Sequence, residues 1–106
     1  MQPITNVTLP TLKVLRALEL GDTYGFAIME RTGLKSGSLY PILNRLEALG
    51  WITGEWETPH PQGRPPRRYY ELVPEARVAT TRLLRERSVS LGAIGDRFRS
   101  DRNANL

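Results

Sequence analysis

Leucines recur every three or four residues through the first fifty positions, and this spacing gives way to a strand-like alternation after residue 50. Leu9, Leu12, Leu15 and Leu18 fall on one stripe, while Lys13, Arg16 and Glu19 fall away from it. This is the period of an amphipathic helix, here over residues 8–20. Thr8 can cap that helix, and Pro10 sits in its first turn, where a missing N–H costs little. Gly21 and Asp22 stop it. Thr23 is placed to cap a short second helix over residues 24–32, with Tyr24, Ile28 and either Phe26 or Met29 facing inward and Gly33 ending it. A turn over residues 33–36 leads into a third helix, capped by Ser36 or Ser38. Pro41 requires that this helix start nearby, because a proline deep inside a helix leaves a carbonyl unpaired and clashes with the preceding turn. Leu39, Ile42, Leu43, Leu46 and Leu49 form its apolar stripe; Tyr40, Pro41, Asn44, Arg45 and Ala48 are left on the other faces, and Gly50 is a C-terminal stop.

Residues 51–57 alternate weakly as a strand with Ile52 and Trp56 on one face, and residues 68–73 read as its return partner with Tyr70 and Leu72 facing in. Between them lies a hairpin tip rich in proline (Pro59, Pro61, Pro65, Pro66), with Gly63 and the single histidine, His60. Pro74 then opens a helical run to about residue 98. Ala76, Ala79 and Leu83 give it one stripe and Leu91, Ile94 and Phe98 another, while Ser88, Ser90, Gly92 and Gly95 weaken its middle. Residues 100–106 read as a frayed tail. The order helix, helix, helix, strand, loop, strand, helix predicts a mainly α, α+β fold: a winged helix-turn-helix over residues 1–73, with a C-terminal dimerisation helix over residues 74–99. A core this small leaves the last helix no face to cover fully. A second copy of the chain is the expected cover, with Leu83, Leu84, Leu91, Ile94 and Phe98 at the interface.

A chain of 106 residues has room for one small domain and an appended helix. The net charge of +4 is compatible with a nucleic-acid partner, and its distribution is more telling. Arg64, Arg67 and Arg68 cluster between the two strands, and Lys35 and Arg45 bracket the third helix. There are no cysteines, so disulfides and thiolate metal sites are excluded. No apolar run approaches the roughly 20 residues of a membrane span, and no signal-peptide pattern opens the chain. A soluble cytoplasmic protein with no membrane partner is the expectation. No nucleophile–base set, no carboxylate pair with metal ligands and no phosphate-cradling glycine loop is visible, so neither an enzyme nor a bound cofactor or metal is expected. His60 stands alone, with no second ligand near it in sequence.

The residues Tyr24-Gly25-Phe26, Gly33-Leu34, Ser36-Gly37-Ser38-Leu39-Tyr40-Pro41, Leu43, Arg45-Leu46-Glu47 and Leu49-Gly50-Trp51-Ile52, followed by Gly63-Arg64-Pro65, Arg68-Tyr69-Tyr70 and Leu72, resemble the PadR family of bacterial transcriptional regulators. Either half alone is a weak signal; both in this order at this separation are specific. The resemblance covers about residues 8–73. It implies a winged helix-turn-helix, a homodimer made by the C-terminal part, and usually a repressor of a nearby promoter. Here that C-terminal part is a single helix, so the chain is similar to the short version of the family. The resemblance does not extend to the part in which some longer relatives form a ligand pocket between subunits, and it identifies no small-molecule inducer.

The site reading follows from the physics of duplex DNA. Affinity comes mainly from phosphates and specificity from base edges. The start of the third helix offers unpaired backbone N–H groups and a positive dipole end. Gly37 permits close approach; Ser36, Ser38 and Tyr40 add hydroxyls; Lys35 adds a charge; Pro41 lies on the same exposed side. Asn44 and Arg45 are candidates for base edges, since Asn can fork to adenine and Arg to guanine. Arg64 and Arg67, with Arg68 beside them, can follow an adjacent minor groove. Each assignment has a structural competitor. Tyr40 can pack on Trp51 or the first helix, Arg45 can pair with Glu47 or Glu30, and Arg68 can point to solvent. Trp51 and Trp56 read as core and sheet packing, with Trp56 also able to line a small-molecule site near the dimer. Arg77, Arg82, Arg85 and Arg87 read as a solvated helix side, some placed to pair with Glu75 and Glu86. The leading function is a sequence-specific double-stranded DNA-binding regulator, a homodimeric repressor reading a pseudo-palindrome. The alternative is a winged-helix interaction module that docks an acidic protein through its basic loop.

Overall fold

The computed structural model describes residues 1–90, with the side chains of residues 1–87. Its elements are α1 (Leu9–Glu19), α2 (Gly25–Thr32), α3 (Ser36–Ala48), β1 (Ile52–Trp56), β2 (Arg68–Leu72) and α4 (Pro74–Ser90). The strands form one antiparallel hairpin, with Ile52 opposite Leu72, Gly54 opposite Tyr70 and Trp56 opposite Arg68. The Tyr70 N–H donates to the Thr23 carbonyl (2.6 Å), and Tyr24 bridges to Tyr69, so the segment before α2 covers the outer edge of β2.

Helix α1 is the hub. Thr8 caps it by accepting from the Thr11 N–H, and Pro10 stands in its first turn, as the sequence predicts. Its Leu12, Val14, Leu15, Ala17 and Leu18 are buried, and it touches α2, α3, α4 and β2. Helix α3 adds Leu39, Leu43 and Leu46, each buried, with Ile42 and Leu49 half-buried at the margin of the same stripe. Ile28, Trp51, Ile52, Tyr70, Leu72 and Ala76 close the core. Burial of each large aliphatic side chain stabilises by about 1.5–3 kcal/mol before chain entropy is counted. Helices α1 and α3 end in the same way. After α3, Gly50 takes a left-handed conformation (φ +78°), and the Gly50 and Trp51 N–H groups turn back onto the Glu47 and Leu46 carbonyls (3.0 and 2.9 Å).

Several local expectations are corrected. Tyr24, not Thr23, is the N-cap of α2, and Lys35, not Ser36 or Ser38, is the N-cap of α3; neither makes a side-chain capping bond. Thr23 instead spends its backbone carbonyl on β2. In α2, Met29 is the residue that packs inward, and Phe26 is 62% exposed. Trp56 shares a sheet face with Ile52 but lies beyond the edge of the core and is 57% exposed. On α4, Ala76 is buried, and Ala79 and Leu83 pack against the core. Leu84 is half-buried. Of the arginines on this helix, Arg77 lies 3.9 Å from Glu71 on β2, in place of the expected Glu75 or Glu86. Leu91, Ile94, Phe98 and the tail over residues 100–106 lie outside the described residues.

The residues before α1 are also part of the fold. The Gln2 N–H donates to the Leu49 carbonyl (2.8 Å), the Trp51 indole N–H donates to the Gln2 carbonyl (2.6 Å), and Ile4 packs against the core. This arm lies along the C-terminal half of α3.

Two substitutions test the packing. Leu15→Ala removes a fully buried side chain at the hub and should cost about 2–5 kcal/mol by chemical denaturation. Thr80 on α4 is fully buried with a hydroxyl that has no hydrogen-bond partner among the described residues, so Thr80→Val should raise stability by about 1 kcal/mol in the same assay.

Candidate nucleic-acid interface

The leucine stripe of α3 fixes which of its sides faces out. With Leu39, Leu43 and Leu46 buried, Lys35, Ser36, Gly37, Ser38, Tyr40, Pro41, Asn44, Arg45 and Ala48 are all exposed. The helix begins five residues before Pro41, so the proline lies inside it, past the first turn, and its missing N–H removes the helical partner of the Gly37 carbonyl. Its first turn holds no acidic residue, and the hydroxyls of Ser36 and Ser38 are not spent on capping. Backbone N–H groups, two hydroxyls and the Lys35 ammonium therefore share one solvent-facing end of the helix. That combination suits an anionic oxygen.

Tyr40 joins the two helices of the turn. A Cβ placed on Gly25 would fall 2.1 Å from the Tyr40 hydroxyl, so the tip of the ring rests on the bare backbone at the start of α2. The ring is still 39% exposed. The ring tip thus packs on the start of α2. Arg45 pairs with neither Glu47 nor Glu30: it donates to the Thr5 carbonyl of the N-terminal arm, and its guanidinium remains exposed.

The hairpin beyond α3 is built around one carboxylate. Glu57, the first residue after β1, accepts from both terminal nitrogens of Arg64 (2.9 and 2.8 Å), from the Arg67 N–H (3.3 Å) and from the Tyr69 hydroxyl (3.3 Å). The Arg64 pair, helped by the Arg67 N–H, holds the Glu57 carboxyl down to about 2, against the desolvation that opposes it. Arg67 lies over the Tyr24 ring at 4.1 Å, and Tyr24 meets Tyr69 edge to face at 5.8 Å. The base of the loop is thereby stacked against the residue that starts α2.

Arg68 ties the hairpin to α3. It pairs with Glu47 (2.9 Å) and lies across Gly54, where any side chain would collide with its guanidinium at 2.8–2.9 Å. It also faces the rings of Trp56 and Tyr70. The exposed side of α3 and the arginine-bearing loop are therefore neighbours with a fixed relation. Of the loop arginines singled out in the sequence, Arg64 is exposed and Arg67 and Arg68 are half-buried. The sequence reading missed Glu57 and Glu47, the stacking of Arg67 on Tyr24, and the arm that holds Arg45. The signal for Glu57 was available: a glutamate at one end of a short hairpin faces arginines at the other. The arm carried no signal, since its bonds use backbone carbonyls of Gln2 and Thr5.

The opposite face of the sheet holds an open cleft of about 330 Å³, lined by Leu18, Thr23, Thr53, Glu55, Tyr69, Glu71 and Arg77 among others. Its two carboxylates make it a poor surface for a polyanion. Among the described residues no group of three or more His, Cys, Asp or Glu could hold a metal ion, and no helix is long and apolar enough to cross a membrane.

Comparison with known proteins agrees with this architecture. The structure is similar to a PadR family transcription regulator from hypervirulent Clostridium difficile R20291, with a TM-score of 0.67 and 22% identity over 86% of this chain and 98% of that one. It is similar to the circadian clock associated protein Pex from anabaena, with a TM-score of 0.64 and 26% identity over 81% of this chain and 80% of that one. It is also similar to a PadR family transcriptional regulator from Eggerthella lenta DSM 2243, with a TM-score of 0.60 and 26% identity over 83% and 81%. No curated protein matches significantly. The model of the transcriptional regulator PadR-like family matches residues 14–82. That match spans the helix-turn-helix, the arginine-bearing hairpin and the first half of α4, and with it the fold is a winged helix of an α+β kind. The chain belongs to the PadR-like family of transcriptional regulators.

Proposed function

We propose that this regulator binds double-stranded DNA as a symmetric homodimer and acts as a repressor at a pseudo-palindromic operator. The observation that carries this reading is the outward polar side of α3, with the arginine-bearing wing pinned beside it by the Arg68–Glu47 pair. Helix α3 enters the major groove. Lys35, Ser36, Gly37, Ser38, Tyr40 and Pro41 seat its start on phosphates, and Asn44 and Arg45 reach base edges. The wing, bearing Arg64, Arg67 and Arg68, lies along the adjacent minor groove. The unit over residues 1–73 supplies this surface. The helix from residue 74 onward supplies the dimer contact through Leu84, Leu91, Ile94 and Phe98, while Leu83, also expected there, packs against the chain's own core. Two such surfaces related by a two-fold axis read half-sites about one helical turn apart, or a multiple of it. The rival reading is an acidic protein docked on the wing; the intrachain pairs of Arg64 and Arg68 weigh equally on both, and the outward polar side of α3 is what favours DNA. The family's members are transcription regulators, and no enzymatic activity is proposed.

Selection of bound sequences from random duplexes should return an inverted repeat. Arg45→Ala should weaken binding to the selected site by about 1–3 kcal/mol and relax preference at one position of each half-site. Undiminished sequence preference in that variant would remove Arg45 from the reading set. Leu84→Asp should shift the protein toward monomer in sedimentation and reduce operator affinity, whereas an intact dimer would move the interface off this stripe.

A further inference from the structure

The wing carries three arginines, yet its shape is set by an anion. Glu57 gathers four donors: two from the Arg64 guanidinium, the backbone N–H of Arg67 and the hydroxyl of Tyr69. Its own N–H donates to the Arg67 carbonyl (2.7 Å), so both its backbone and its side chain close the loop. Arg64 also donates to the Pro65 carbonyl (3.2 Å), which leaves its guanidinium turned back into the loop. We propose that Glu57 is a positioning residue for DNA binding: its carboxylate folds the loop over residues 57–67 into the form that meets the duplex, and Arg64 serves as its counter-ion and not as a free cation. The proposal rests on the DNA-binding reading given above.

An exposed ion pair on its own contributes little to stability. Here the pair is bidentate, and the same carboxylate also takes a backbone and a phenolic donor from the return limb of the hairpin. Its effect therefore falls on the order of the loop and not on the core, from which the loop stands apart. A loop ordered before binding does not lose that freedom on the DNA. Charge bookkeeping alone gives the opposite sign. A carboxylate beside a polyanion is repulsive, so its removal should tighten binding. The sign of one substitution thus separates the two accounts.

Glu57→Gln keeps the size of the side chain and an acceptor oxygen but loses the bidentate pairing with Arg64. It should leave the thermal unfolding midpoint of the core unchanged and weaken duplex binding by roughly tenfold. Arg64→Gln should do the same, and the double variant should lose no more than either single one. Glu57→Asp should retain part of the affinity. In a salt titration Arg64→Gln should leave the slope of log affinity against log salt unchanged, while Arg67→Gln lowers it by about one. Binding by Glu57→Gln as tight as that of the parent, or tighter, would overturn the proposal. So would a loss of salt slope in Arg64→Gln equal to that in Arg67→Gln.

Two measurements need no DNA. Trypsin should cut after Arg67 faster in Glu57→Gln than in the parent protein, and equal rates would overturn the clasp. The Glu57 carboxyl should titrate near 2 by carbon NMR. Its pKa is lowered from 4.5, so the clasp is fully present above about pH 4.5 and is lost as pH falls through about 2. A midpoint at the ordinary value would mean that the pairing does not form. Should the parent protein ignore duplexes at low ionic strength while both of these hold, the DNA-binding reading fails and the clasp stands as a loop-shaping device alone.

Discussion

Everything on the outward surface depends on how the leucine stripe of α3 is seated against the rest of the core. Leu39, Leu43 and Leu46 are buried with α1's Leu15 and Leu18, and that contact sets the rotation of α3 about its own axis. Rotation decides which side chains face water. A helix turned by one residue would carry every side chain about 100° around the axis and would take Asn44 and Arg45 off the exposed face. The selectivity proposed for this surface is therefore set by apolar packing. The polar residues inherit their orientation from leucines that never touch a ligand. The arm before α1 adds a second restraint at the far end of α3, through the Leu49 carbonyl and the Trp51 indole.

Electrostatics then shapes what packing has exposed. The surface around α3 and the wing is rich in cations, yet two of them are paired with carboxylates of the chain itself: Arg64 with Glu57 and Arg68 with Glu47. Each pair joins elements that the backbone alone would leave loose. The first closes the wing on itself, and the second joins the wing's base to α3. Arg67 is held differently, over the Tyr24 ring, and pairs with no carboxylate among the described residues. Lys35, at the start of α3, is likewise exposed. A count of arginines in the loop thus overstates the number of free positive charges it presents.

The fold could be read from the sequence almost entirely, for a physical reason. Helices α1 and α3 each bury a stripe written in leucine, and a glycine stop signal follows each of the first three helices. Element order, hairpin and inward residues followed. What the sequence concealed were effects decided by neighbours. Trp56 follows the strand alternation, but it stands at the last position of β1, outside the core cluster, so alternation alone could not show that it is exposed. Phe26 and Met29 fit one helical period equally well until α3 is in place. Ser36 and Ser38 are good capping types, yet the backbone enters the helix one residue earlier, at Lys35. In the candidate site, composition identified the cations but not their partners, because Glu47 and Glu57 reach them across 21 and 7 positions of chain. Arg45's partner is a main-chain oxygen, which residue identity cannot reveal.

The guanidinium of Arg68, laid across Gly54 and bonded to Glu47, has a geometric consequence. It ties the hairpin to the helix and so restrains the gap between them. On the proposed DNA-binding reading, two prongs held at a set spacing discriminate by width: a duplex whose grooves are spaced to suit meets both at once, and one spaced otherwise must be deformed to fit. Stiff and pliant DNA steps would then be sorted even at positions no side chain reaches.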